Sequence, residues 1–409
     1  MDTADIAWLL TATALVLFMT LPGLALFYGG LVRARNFLSV LMQCFSIAAV
    51  MSVLWVAAGF SIAFGGDGMF WGGLSKMFLV GIDRDPEGAL SDYLLVAFQM
   101  TFAIITPALI IGALVERAKF AFIILFSAIW MLFCYAPVAH WVWGGGFLSA
   151  NGISIFKDVG VQDLAGGVVV HVTAGVAALV LAIMLGARKG FPREVKPPHQ
   201  PGLVMVGAAM LWVGWFGFNG GSPFAANNAA ISAVLVTHIS ASAACCSWAL
   251  WERIRFGKAS LVGIATAMVA GLASITPAAG HVGPIGALII GGVAGVLCQE
   301  LITVVKNKFK IDDSLDVFAV HGVGGMWGML ALPILAGASL GGAGLGDVSV
   351  GQQFGVQVAG IVIVVVFTAI VTYIAAMIAK TLVGMRIDDE SITIGLDLSD
   401  HGERAYDLS

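Results

Sequence analysis

"DLAGGVVVHVTAG", residues 163–175, sits in a stretch otherwise suited to hydrocarbon. From Leu164 to Ala187 there is no charged side chain and one ionisable group, His171. A second stretch repeats the pattern: "DSLDVFAVHGVGG", residues 313–325. Each runs Asp, seven residues, His, then small residues, so Asp163–His171 and Asp313–His321 share one spacing. Ionisable groups inside a membrane are costly and usually line pathways. Two of them at matching positions predict a chain built from two related halves with a shared centre.

The composition agrees with a membrane setting. The chain has 409 residues, 59% hydrophobic and 11% charged, where a soluble domain carries roughly 25% charged residues. Mean hydropathy is +0.98. Apolar runs of about 20 residues, the length that crosses a bilayer, recur throughout. The expected fold is an all-α polytopic membrane protein, since a β-barrel would show short alternating segments. Eleven spans are drawn at about 6–30, 37–64, 92–115, 120–142, 163–187, 202–221, 228–251, 260–279, 283–305, 315–337 and 352–382. The N-terminal run lacks a basic n-region and continues to Gly30, so it is read as the first span. The 52 glycines favour close helix packing.

The loops alternate in charge. Those after odd-numbered spans, with the tail, hold every Lys and Arg except Lys76, Arg84 and Lys157. The positive-inside rule makes that side cytoplasmic, with the N-terminus outside and the C-terminus inside. The outer loop 65–91 carries Asp67, Asp83, Asp85 and Glu87 and is read as an acidic solvated loop. No basic tract suits nucleic acid. The five cysteines (Cys44, Cys134, Cys245, Cys246, Cys298) lie in apolar runs without paired spacing and read as small buried hydrophobes. No cofactor, metal site or enzymatic nucleophile–base pair is expected.

Span 5 enters and span 10 exits, so the two Asp–His copies run in opposite directions. That marks an inverted repeat of spans 1–5 and 6–10 with span 11 added. Residues 1–383 are read as one transmembrane domain, with halves about 1–187 and 202–337 and a last helix 352–383. Residues 384–409 form a cytoplasmic tail. Eight residues of helix rise about 12 Å. Each Asp is therefore expected at a helix start, supporting it as a cap, and each His nearer the midplane.

These residues carry a resemblance. "GLALFYGGLVRARN" (23–36), "FQMTFAIITPALIIGALVER" (98–117), "HWVWGGG" (140–146), "DLAGGVVVH" (163–171), "GWFGFNGGS" (214–222) and "DDSLDVFAVHGVGG" (312–325) resemble motifs of the ammonium transporter family, Amt branch. The tail "GLDLSDHGERAY" (395–406) resembles its cytoplasmic signature. The resemblance covers essentially the whole chain. It implies a homotrimer in the plasma membrane, with one narrow pore per protomer and lipid around it. It places ammonium recruitment at Phe102, Trp143 and Ser222, and a phenyl gate at Phe102 and Phe218. It sets His171 and His321 along the pore, with Asp163 and Asp313 as structural support. It also implies a PII-type regulator at the cytoplasmic face. Ammonium would be deprotonated and conducted as NH₃ and H⁺, electrogenically. An electroneutral Rh-type channel for NH₃ or CO₂, and an ammonium sensor with little transport, are the competing readings.

Two departures stand out. Met100 occupies a position near the gate where the family more often has glycine. His238 interrupts the apolar run "VLVTHISAS" and is read as an imidazole hydrogen-bonded to serine or backbone.

Overall fold

The computed structural model describes residues 2–83, 92–150, 154–157, 159–194 and 196–406. Arg84, Asp85 and Glu87 of the acidic loop lie outside them. Among the described residues the chain is helical, with one isolated β-bridge between Ala118 and Arg386. Eleven apolar helices follow in order: α1 Thr3–Leu31, α2 Ala34–Phe64, α3 Asp92–Ala113, α4 Phe120–Val142, α5 Gly167–Leu185, α6 Pro201–Gly221, α7 Asn228–Phe256, α8 Leu261–Ile275, α9 Pro284–Lys308, α10 Phe318–Leu335 and α11 Val350–Val383. All but α8 are long and apolar enough to span a bilayer, and α8 is a shorter apolar helix. The chain is a multi-pass membrane protein.

Local chemistry sets the helix ends. Asp2 and Asp5 form a reciprocal capping box on α1. Asn227, Ser260 and Ser349 accept from the first free N–H groups of α7, α8 and α11. Pro201 and Pro284 open α6 and α9, where a missing N–H costs nothing. A π-helical turn around Pro22 re-routes the backbone bonds that the ring interrupts in α1.

Packing follows the repeat. α2 packs on α3 and α4, and α7 packs on α8 and α9. α1 meets α3 as α6 meets α8, and α3 meets α5 as α8 meets α10. The main contacts joining the halves are α1 on α6 and α5 on α10, and the same exchange of halves maps each onto itself; a smaller one sets α8 against the start of α5. Five apolar helices per half, an odd number, fit a second copy entering from the opposite face. α11 lies outside this pattern, against α4, α5 and α10. Its outward residues Val362, Val366 and Ile370 are exposed, as are Ile231, Leu250 and Ile254 of α7. Such apolar surface suits hydrocarbon rather than water.

The tail folds into α12 Asp389–Ile394 and α13 Leu396–His401. Arg35 donates to the Thr393 carbonyl, Asn36 accepts from the Leu396 N–H, and Asp397 accepts from the Ser39 N–H at 2.8 Å. Arg386 donates to the carbonyls of Leu185 and Ala187. Beside it, Arg188 bonds Asp312 at 2.9 Å and Glu116 at 3.2 Å, and buried Arg117 donates to Ser314 and to the Asp312 carbonyl. The Arg188 guanidinium holds the Asp312 carboxyl below its ordinary range, overcoming burial, which pushes it up.

Candidate functional site

α5 does not begin at Asp163. Residues 163–166 are irregular and the helix starts at Gly167, after Gly166 takes a φ of +114° that glycine tolerates. The first stretch of helix is π-wound, so the continuous 12 Å rise expected from Asp to His does not apply. The Asp163 carboxylate lies beneath this start. Its Oδ1 accepts from the N–H groups of Gly166 (2.8 Å) and Gly167 (2.5 Å), and its Oδ2 from Val168 (2.8 Å) and Val169 (3.1 Å). One side chain thus satisfies the donors that a helix start leaves open. Burial pushes its carboxyl up, and the four backbone bonds pull the other way. Asp313 makes one such bond, from the Phe318 N–H at 2.7 Å, while its Oδ1 is buried without a hydrogen-bond partner. Burial, with Asp316 nearby, pushes that carboxyl up to about 6.

The Asp163 backbone carbonyl also accepts from the Trp143 indole N–H at 2.8 Å. That bond fixes the indole edge-on to Phe102, centroids 6.0 Å apart at 89°. Phe102 stacks on Phe218 at 4.2 Å and 20°. Both phenyl rings are buried. The Ser222 hydroxyl donates to the Phe218 carbonyl at 2.8 Å, so its oxygen is left as an acceptor.

Beyond the phenyl pair lie the imidazoles. Phe218 is 6.1 Å from His171. The His171 and His321 rings lie 5.2 Å apart at 24°, with Nδ1 to Nδ1 at 3.2 Å. That contact needs one Nδ1–H donor and one bare Nδ1, so a neutral pair holds opposite tautomers. His171 Nε2 is buried without a hydrogen-bond partner. Trp215 stacks on His171 at 5.4 Å and 20°, its indole N–H held by Thr276 at 2.8 Å. Glycines bring the two helices this close. A Cβ on Gly175 of α5 would meet the Gly322 Cα and N of α10 at 2.3 Å.

A cavity of about 490 Å³ opens on the far side of Phe102. Its walls include Trp143, Asp163, Ser222, Gln99, Gln162 and His281. The structure therefore brings Phe102, Trp143, Ser222 and Asp163 to one cavity wall and links Phe102 through Phe218 and His171 to His321 by ring contacts. Asp313 caps α10, the helix that carries His321. Met100 is half-buried and absent from the cavity wall. His238 is exposed on α7 and packs against the rings of Trp212 and Phe216. The Ser242 hydroxyl bonds the His238 carbonyl rather than the ring, which corrects the expected hydrogen-bonded imidazole. Cys246 is exposed on the outward side of α7 and Cys245 is half-buried, its thiol donating to the Ile264 carbonyl of α8, against the expectation of buried thiols. Trp215 and His281 were not singled out from sequence. Trp215 sat unremarked within "GWFGFNGGS", and His281 is an ionisable residue at the end of an apolar run. Among the described residues no three His, Cys, Asp or Glu side chains cluster as metal ligands would.

A sequence model of the Ammonium Transporter Family matches residues 7–406. An ammonium transporter of Aquifex aeolicus is 42% identical over all of this chain and 94% of its own length. A solved structure titled Sensor Amt Protein superposes with a TM-score of 0.89 at 29% identity, covering 97% of this chain and 98% of its own. Candida albicans Mep2 superposes with a TM-score of 0.84 at 31% identity, covering 95% of this chain and 87% of its own.

Proposed function

The chain belongs to the ammonium transporter family, and we propose from this membership and the site geometry how it handles its substrate. It is a transporter and not an enzyme. The finer reading is electrogenic conduction through a pore lined by His171 and His321.

The observation that carries it is an unbroken series of rings. From the cavity it runs Trp143, Phe102, Phe218, His171, His321. Burying a bare monovalent cation costs several kcal/mol. At the cavity end, aromatic faces offer about 0.5–2 kcal/mol of cation–π attraction, and Ser222 offers an acceptor. K⁺ is drawn by the ring faces and by the Ser222 oxygen as well, but only NH₄⁺ donates directional N–H bonds and can give up a proton. At the stacked phenyl pair the charge loses its shell, so deprotonation is cheaper than passage as an ion. NH₃ then moves past the imidazoles, while the proton it gives up passes to transient water and on to an imidazole nitrogen of the pair, which releases a proton on the inner side. Asp163 and Asp313 hold the two helix starts and do not bind substrate.

In this reading the protein works in the plasma membrane as a homotrimer surrounded by lipid, with its N-terminus outside. A PII-type regulator would dock on the cytoplasmic face.

Solid-supported-membrane currents in proteoliposomes test it, comparing ammonium with potassium. Wild type should carry an ammonium-dependent current that potassium does not elicit, and His321→Ala should lose it. Full, ammonium-selective current in His321→Ala would sink the proton relay. Ammonium flux without current would favour the electroneutral channel. The structural likeness to a sensor supports a second reading, in which purified protein binds ammonium but liposomes show neither current nor flux.

A further inference from the structure

His281 shares the cavity with Phe102, Trp143 and Ser222 but has no part in the ring series. It lies in the turn between α8 and α9, and its backbone is fixed from two sides. Its N–H donates to the Ala278 carbonyl at 2.9 Å, and its carbonyl accepts from the Ala343 N–H at 2.8 Å. The same turn is tied to the Asp163 segment, because the Leu164 N–H donates to the Pro277 carbonyl at 3.2 Å. The imidazole is thus built into the wall rather than carried on a loose loop. A hydrogen bond with the Gly344 backbone favours its protonated form, so the ring donates there, to the carbonyl. In the neutral ring the other nitrogen is then an acceptor.

We propose that His281 is a second acceptor for ammonium in the outer cavity, receiving an N–H from the cation before it reaches the aromatic face of Phe102 and Trp143. This rests on the reading of that cavity as the recruitment site. The other titratable group on the cavity wall is Asp163, whose carboxylate is turned to the N–H groups of residues 166–169. The segment 336–344 that packs on the turn carries no ionisable side chain. Burial lowers the His281 imidazole below its ordinary range, opposed by the Gly344 bond, so the ring is a neutral acceptor at neutral pH. Protonation removes the lone pair and adds a like charge. Ammonium affinity therefore falls as the outer solution is acidified, while ammonium itself stays protonated.

The experiment measures half-saturating ammonium concentration from proteoliposome currents between about pH 7.5 and 4.5, a window carried below the ordinary imidazole range because burial lowers this ring. His281→Phe should raise it at the upper pH by about tenfold, the scale of one hydrogen bond from a charged donor, with maximal current kept. His281→Asn keeps a polar group that does not titrate. It should hold near wild-type affinity and lose the acid dependence. Should wild type give no ammonium current, the transport reading fails. The inference is then read from the ammonium chloride concentration, against potassium chloride, that raises the melting temperature of detergent-solubilised wild type and variants. Wild-type half-saturation and pH profile in both variants would overturn the assignment, as would an unshifted ammonium requirement in the melting assay. Should His281→Phe fail to fold, the flattened pH profile of His281→Asn decides.

Discussion

Gly175 offers a direct test of what holds the imidazoles together. It lies one turn beyond His171, facing Gly322, the neighbour of His321. An added Cβ would sit 2.3 Å from the Gly322 backbone, where ordinary contact begins at 3.4 Å. In Gly175→Ala the helices must therefore part by about 1 Å, an overpacking cost of roughly 1–3 kcal/mol. Alanine's better helix propensity, about 1 kcal/mol over glycine, offsets part of it. The imidazoles, 3.2 Å apart, would separate to about 4 Å, past hydrogen-bonding range. Gly292→Ala is the matched control, because a Cβ there meets nothing within 4 Å. The expected outcome is a melting temperature lowered by a few degrees and an ammonium current greatly reduced in Gly175→Ala, with neither change in Gly292→Ala. Wild-type current and melting in Gly175→Ala would refute the claim that glycine contact sets the imidazole distance.

Asp163→Asn keeps one carbonyl oxygen and leaves about two of the four helix-start N–H groups unmade, at roughly 1–3 kcal/mol each. It should melt lower than wild type and loosen Trp143, seen as altered indole fluorescence. Asp313, pushed up to about 6 from 3.8, binds a proton more readily folded than unfolded. Stability should therefore fall as pH rises from about 4 to 6, by up to about 3 kcal/mol. Asp313→Asn should flatten that slope in a series of melting curves, and an unchanged slope would exclude Asp313 as its source. Asp312→Ala removes the carboxylate that takes two of the Arg188 guanidinium nitrogens and leaves Arg188 with Glu116 alone, while Arg117 keeps its bond to the residue-312 carbonyl. Breaking a buried ion pair from one side costs about 3–5 kcal/mol, and the remaining Glu116 pair places the loss at the lower end. Poor yield and a clear loss of thermal stability are expected. Ending the chain at Gly384 removes the bonds of Arg386 and Asp397. Altered ammonium current is expected, and unchanged kinetics would count against control by the tail.

The spans were legible because each is a long apolar run bounded by charge or glycine. The repeat was legible because two rare groups recurred at one spacing. The helix start at Asp163 was not. An eight-residue interval reads as helix, yet a carboxylate beneath four N–H groups requires those donors to converge, and Gly166 breaks the chain to allow it. The eighth span was drawn to residue 279 and ends at Ile275, because residues 276–282 turn to build the cavity wall and share the apolar composition of a helix. Trp215 and His281 reach the site through contacts across the bundle, which no local period records. His238 shows the converse. An ionisable residue in an apolar run signalled an interior group, and the ring lies outside against Trp212.

The tail grips one half of the molecule. Arg35, Asn36, Ser39, Arg117, Leu185 and Ala187 all precede residue 200, and the described tail bonds reach no residue of the second half. Arg386 holds the last carbonyl of α5, that of Leu185, and the Ala187 carbonyl just beyond it, and the first turns of α5 carry His171. A displacement of the tail would therefore bear on α5 and not on its counterpart α10. Two halves matched in their packing are in this way fastened to the tail on a single side.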